Sequence, residues 1–194
     1  MLYQPGQREP VISPSYSFSW QRFTREWLRP LLTVIVIGVV VNLFFPRYYV
    51  QGHSMEPQIH EADWLFTSNL DALTNSIRRG DIVVLVSPHD DELAVKRVIG
   101  LPGEQVNIHE GQVYIDYVPL HEDYIEEAPG YYGEWVIGPD EYFVLGDNRN
   151  RSLDSADYGP VEASRIRGAV KLRLWPLTDF GVLTPPDYTS DQPQ

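Results

Sequence analysis

From Leu31 to Phe45 the chain runs LLTVIVIGVVVNLFF, fifteen residues with no charge and a single side-chain amide, Asn42. As a helix this segment rises about 22 Å, short of the roughly 30 Å hydrocarbon core of a bilayer. Trp27 and Leu28 before it, and Tyr48, Tyr49 and Val50 after it, extend it as interfacial anchors. The run predicts a transmembrane helix over residues 31–46, preceded by a tail of residues 1–30. A cleaved signal peptide would have similar proportions, but NLFFPRYYVQG offers no A-x-A-like small-residue site, so the anchor is read as uncleaved.

Charge orients that helix. Residues 1–30 carry a net +2, with Arg8, Arg22, Arg25 and Arg29 against Glu9 and Glu26, so the remainder of this −12 chain carries −14. Positive flanks stay cytoplasmic, which puts the N-terminus inside and the acidic bulk across the bilayer. A net charge of −12 also argues against general nucleic-acid binding, which needs a basic footprint. The absence of cysteine excludes disulfides, thiolate metal sites and a cysteine nucleophile. The five histidines (His53, His60, His89, His109 and His121) show no ligand spacing, so no metal or other cofactor is expected.

After Pro46 the chain breaks into short β-branched and aromatic runs divided by Gly and Pro. They are Tyr48–Gln51, Trp64–Thr67, Asp81–Val86, Leu93–Ile99, Gln105–His109, Gln112–Ile115, Glu141–Leu145 and Ala169–Leu174. Leu70–Ile77 is the one candidate for a short helix. The expected architecture is mostly β: a single N-terminal transmembrane helix, then a compact antiparallel β-sheet domain over residues 47–181. The Pro-rich segment 182–194 is expected to be a flexible tail.

Of the 15 basic residues, 13 are Arg and only Lys96 and Lys171 are Lys. Arg keeps its proton in a protein, whereas a desolvated Lys can lose it. Lys96 lies in an apolar, strand-like setting of Ala94, Val95, Val98 and Ile99, where burial would depress its pKa. Ser54 stands 42 residues earlier, just beyond the anchor. A neutral lysine can act as general base to a serine nucleophile. Each residue alone has a plainer reading, as a surface hydroxyl and a snorkelling amine. His53 is a poor base for Ser54, because neighbours in an extended segment point to opposite faces.

Three segments together change that balance: Ser54-Met55-Glu56-Pro57, then KRVIGLPGE from Lys96 to Glu104, then GDNRNRSLDS from Gly146 to Ser155. The chain resembles type I signal peptidases, the membrane-bound Ser/Lys proteases that remove signal peptides, over about Leu31 to Leu174. Its size and the stretch Glu122–Gly146 are most similar to cyanobacterial and thylakoid members. The resemblance implies Ser54 as nucleophile, Lys96 as base and Ser152 as the hydroxyl that orients the lysine. Asp154 and Arg149 would hold the geometry, with Gly146 and Asp147 shaping a turn. Two positions depart from the pattern. Gly52 stands where some members have a serine that helps form the oxyanion hole, and Ala156 stands where a basic residue would pair with Asp154. Arg149 or Arg151 is the expected replacement for that pair.

The resemblance also implies preprotein signal peptides as substrates and the lipid bilayer as a partner. The catalytic domain would lie on the periplasmic or thylakoid lumenal side. An extended substrate would add between Tyr48–Gly52 and Leu93–Lys96 by β-augmentation. Small pockets around Tyr48, Val50, Gly52, Met55, Ala94 and Val95 would admit alanine-sized side chains at alternate positions, giving A-x-A-like cleavage sites. One rival, a self-cleaving repressor-type Ser/Lys domain, would need a scissile Ala-Gly or Cys-Gly before the serine, and neither is present. The other is a membrane-anchored β module without chemistry, in which Ser54 and Lys96 need not meet.

Overall fold

The computed structural model describes residue 20 and residues 24–74, 76–186 and 188. The chain divides into two compact units, residues 1–39 and 40–194. Thr24–Leu28 form a π-helical turn that leads into α1, Arg29–Phe44, whose last five residues are counted with the second unit. Together they make one apolar helix of 21 residues, about 31 Å long. The helix begins seven residues before the expected start at Leu31, taking in Trp27 and Leu28, and ends at Phe44. Its side chains are exposed from Thr24 to Leu43, so the apolar surface faces all round with no core to enter.

The second unit is built on two antiparallel sheets. Its strands are β1 Arg47–Tyr49, β2 Trp64–Ser68, β3 Ile82–Val86, β4 Leu93–Gly100, β5 Gln105–His109, β6 Gln112–Ile115, β7 Val118–Pro119, β8 Gly133–Val136, β9 Glu141–Leu145, β10 Val161–Glu162, β11 Ile166–Trp175 and β12 Gly181–Val182. The larger sheet runs β1-β2-β11-β3-β4-β9-β10, with β12 also pairing β11, and the smaller runs β7-β6-β5-β8. The fold is therefore mostly antiparallel β behind an N-terminal apolar helix. The short strands β7, β8, β10 and β12 were not foreseen; each has two to four residues and too little periodicity to stand out.

Period-2 alternation explains how the large sheet is buried on both faces. The unbroken apolar run of β3 sends Ile82 and Val84 into a cluster with Val50, Met55, Ile59, Leu65 and Val170. Val83 and Leu85 go to the opposite face, with Val98, Val144 and Ile166. A third cluster, including Ile99, Val106, Ile108 and Phe143, joins β4 and β9 to the smaller sheet.

Two expectations change. The short helix α2 covers only Leu70–Leu73, because the Thr74 hydroxyl donates to the Leu70 carbonyl at 2.7 Å and competes with further helix. Ile77, expected at the helix end, is buried in the core. Residues beyond Val182 are not all a free tail. Leu183 donates its N–H to the Lys171 carbonyl at 3.0 Å and packs on the Val50–Val170 cluster. Tyr188 packs against the third cluster.

Ile59, on the long connection between β1 and β2, is completely buried in the Val50–Val170 cluster. Ile59→Ala should cost about 2–5 kcal/mol of stability, the range for removing a buried large aliphatic side chain. Denaturant unfolding of the wild-type and variant chains would measure it.

Candidate active site

Ser54 lies on the connection between β1 and β2, which is closed at its base by main-chain bonds. Val50 N–H donates to the Asp63 carbonyl at 2.9 Å, and Ala62 N–H donates to the Val50 carbonyl at 3.0 Å. Inside that clamp Met55 and Ile59 are buried, so apolar packing fixes a loop that would otherwise move. His53 is exposed, on a segment of bends and turns and not the extended one expected, and its Nδ1 is 2.9 Å from Glu56 Oε1.

Lys96 sits in β4 opposite Val83 of β3. Alternation places it on the face shared with Ala94 and Val98, against the Val83–Ile166 cluster. Only 4% of its surface is exposed. Burial pulls its pKa below the ordinary lysine value, and the carboxylates of Asp154, Asp157 and Asp147 oppose this in part. The amine donates to Ser152 Oγ at 3.0 Å, so it is desolvated yet not orphaned.

The segment after β9 closes the arrangement. A Cβ on Gly146 would collide with the Ser152 hydroxyl and with the main-chain oxygen of Ser54, so these two groups meet across the bare glycine. Asn148 N–H donates to the same Ser54 oxygen at 3.1 Å, and Asn148 Nδ2 donates to the His53 carbonyl at 3.1 Å. Asp154 accepts from Gly146 N–H at 2.9 Å and from Ala156 N–H at 3.1 Å, which makes it the N-cap of α3, Ser155–Tyr158. Ser152, which bonds Lys96, thereby comes together with the Ser54 main chain over Gly146, and Asp154 bonds that same glycine's N–H.

Beside that cluster runs a groove of about 380 Å³. Its walls include Tyr48, Val50, Gly52, Ser54, Met55, Val84, Leu93 and Val95, so five of the six expected substrate-contact residues line it. Ala94 does not. It lies on the other face of β4 and packs against the Ile77–Ile166 cluster, the necessary result of alternating with Val95.

Residues 24–175 match the family described as "Signal peptidase, peptidase S26". The chain belongs to that family. It is 38% identical to a signal peptidase I of Leptolyngbya laminosa, over 80% of this chain and 81% of the relative. It is also 30% identical to a signal peptidase I of Bacillus licheniformis, over 80% of this chain and 90% of the relative.

Against the pattern expected of the family, both departures have structural counterparts. Gly52 adopts φ +87°, a left-handed conformation in which any side chain would be strained. Asp154 needs no basic residue at position 156, because two main-chain amides take its carboxylate. Neither Arg149 nor Arg151 replaces that partner. Arg149 is buried, with a bidentate pair to Glu122 and a bond from Nε to the Gly146 carbonyl at 3.1 Å, and Arg151 is exposed. Three supports went unread in the sequence. Arg97 pairs bidentately with Asp147 at 2.6 and 2.7 Å, Glu122 holds Arg149, and Asn148 holds the Ser54 main chain. The only available signal for Arg97 was its place next to Lys96 in an apolar strand.

With only two lysines in the chain, nuclear magnetic resonance can follow the Lys96 amine directly in the full-length protein. Its resonance, assigned by its loss in Lys96→Arg, should titrate below the ordinary lysine range. Gly146→Ala should displace Ser152 and alter that titration while leaving the β5–β6 hairpin shifts in place.

Proposed function

We propose that this chain is a membrane-anchored serine endopeptidase that removes N-terminal signal peptides from exported preproteins, with Ser54 as nucleophile and Lys96 as general base. The observation that carries this reading is the buried Lys96 amine, held by Ser152 at 3.0 Å in the cluster that contains Ser54. As the Ser54 Oγ attacks the scissile carbonyl carbon, its proton passes to Lys96. The tetrahedral oxyanion is met by the Ser54 N–H, with no side chain at Gly52 to assist. Lys96 returns the proton to the leaving amine, which departs as the new N-terminus and leaves an ester on Ser54. A water deprotonated by Lys96 then hydrolyses the ester, releasing the signal peptide carboxylate and restoring Ser54.

The groove supports specificity for small side chains. Val50, Met55, Val84 and Val95 present a close apolar wall that favours alanine-sized groups at alternate positions of an extended chain, as in A-x-A-like sites. Main-chain recognition is favoured because β9 pairs with β4 only from Arg97 onward, leaving the edge of Leu93–Lys96 available for an added strand. The 21-residue apolar helix is long enough to anchor the chain. The arginines in its first turns, Arg25 and Arg29, and those before it favour a cytoplasmic N-terminus, with the β domain on the periplasmic or lumenal side.

Incubation of the full chain in detergent micelles with a preprotein tests the reading. Ser54→Ala and Lys96→Arg should each abolish cleavage with the fold intact, because Arg keeps the charge but cannot act as base. Ser152→Ala should lower kcat on the order of 10²-fold with little change in KM, as misalignment of about 1 Å does. Substantial activity in Lys96→Arg would exclude the assignment.

The pH dependence follows from burial. Lys96 must be neutral to act, so kcat/KM should rise with pH through its lowered pKa. Asp157 raises that pKa, and removing its charge while keeping its acceptor oxygen, as in Asp157→Asn, should move the rising limb to lower pH. A shift upward would contradict the electrostatics.

A further inference from the structure

The C-terminal segment makes contacts that the reaction outlined above does not use. After β12, Pro185 and Pro186 come to lie against Gly80. A Cβ built on Gly80 would stand 3.2 Å from Pro185 Cβ, 3.0 Å from Pro186 Cδ and 2.9 Å from Tyr188 Cε2. The Tyr188 hydroxyl donates to the Tyr124 hydroxyl at 3.1 Å. Tyr124 in turn donates to Glu122 Oε1 at 2.6 Å, and its ring carries the Arg97 guanidinium 4.1 Å from the centroid.

These contacts end on both ion pairs that brace the catalytic cluster. Arg97 follows Lys96 in β4, grips Asp147, and donates from Nη1 to the Gly80 carbonyl at 2.9 Å, the residue that the segment covers. Glu122 grips Arg149. Asp147 and Arg149 flank Asn148, whose N–H holds the Ser54 main chain. A buried ion pair keeps its geometry only while water is excluded and its remaining donors are satisfied. The tyrosine pair covers both.

We propose that Tyr188 is a positioning residue for the Ser54–Lys96 site, and that residues 183–186 form a strap that delivers it. With Tyr188 seated, Tyr124 lies flat on Arg97 and links it to Glu122, so the strand bearing Lys96 and the segment bearing Asn148 and Ser152 keep one register. Without it, water reaches both pairs and the two loops move independently. The groove, whose walls contain no residue of the strap, keeps its shape. This inference rests on the proposed peptidase reading, and its test includes a measurement that does not depend on cleavage.

Full-length protein in micelles is compared as wild type, Tyr188→Ala, Tyr188→Phe, Gly80→Ala and the Gly80→Ala/Tyr188→Ala pair. Tyr188→Ala should lower kcat for preprotein cleavage about tenfold or more while KM changes less than about twofold, the signature of lost alignment rather than lost binding. Tyr188→Phe, which keeps the covering ring, should recover most of that loss. Gly80→Ala displaces the strap and, at φ +87°, also strains the backbone whose carbonyl Arg97 bonds, so its defect should be at least as large, and adding Tyr188→Ala to it should cost little further. In the same proteins, amide hydrogen exchange at Gly146 and Asn148 should quicken about tenfold in Tyr188→Ala, with Val106 and Ile115 in the β5–β6 hairpin unchanged. Unchanged exchange at Gly146 and Asn148 overturns the strap even if no preprotein is cleaved. A raised KM at constant kcat, or additive losses in the double variant, overturns it as well. Quickened exchange in Tyr188→Ala, together with a wild-type chain that cleaves no preprotein, would retain the strap and reject the peptidase reading.

Discussion

A lysine amine can be kept neutral near pH 7 only by taking it out of water, and it can be kept in place only by giving it a hydrogen-bond partner. The Lys96–Ser152 contact meets both demands, and much of the fold is arranged around it. β3 is buried on both faces, so β4 beside it presents Lys96 to an apolar cluster instead of to solvent. Three acids nearby favour the charged amine, yet each is engaged elsewhere. Asp147 is taken by Arg97, Asp154 by two main-chain amides, and Asp157 by the Asp154 N–H at 3.2 Å. Burial therefore prevails over their pull, and the amine titrates low.

The same logic divides the labour between the two kinds of buried cation, lysine and arginine. Arg97 and Arg149 are buried as deeply as Lys96, but guanidinium stays charged and matches a carboxylate in two parallel bonds. Such pairs contribute little net stability, since desolvation offsets attraction, but removing one partner costs about 3–5 kcal/mol. Their value here is geometric: they fix the segment 147–149 against β4 and the loop of Glu122. Lys96 is the buried cation that can release a proton, and it alone among them bonds to a hydroxyl instead of a carboxylate.

Among the described residues, the apolar helix and eight of the twelve strands were legible from local signatures, whereas Ser152 and Asp154 were legible only through the family resemblance. Length without charge marks the helix, period-2 alternation marks the strands, and GDNRNRSLDS marks the turn. Strand alternation does not apply at His53, because residues 52–59 form bends and turns and not the extended segment expected there. The same rule was misapplied at Ala94, where Val95 already occupied the groove face. Partners separated by tens of residues left no such trace. Arg149 has the composition of a partner for Asp154, and only tertiary structure shows that Glu122, 27 residues earlier, holds it. The tail 182–194 is rich in Pro and polar residues, which argues for mobility, yet prolines that cannot join a sheet can still lie against a glycine such as Gly80.

Why the chemistry sits where it does follows from strand pairing. β9 pairs with the second half of β4, from Arg97 to Gly100, and leaves it after Leu145. Gly146 turns the chain away, and its lack of a side chain lets Ser152 and the Ser54 main chain close over the end of the ladder. Up to that point the β4 edge is occupied by protein; before it, Leu93–Lys96 is paired on the β3 side alone. A single strand is therefore paired on both sides in one half and on one side in the other, with Lys96 at the junction. On the proposed peptidase reading, an extended peptide would pair along this open half by main-chain hydrogen bonds and end beside the residue that carries the amine.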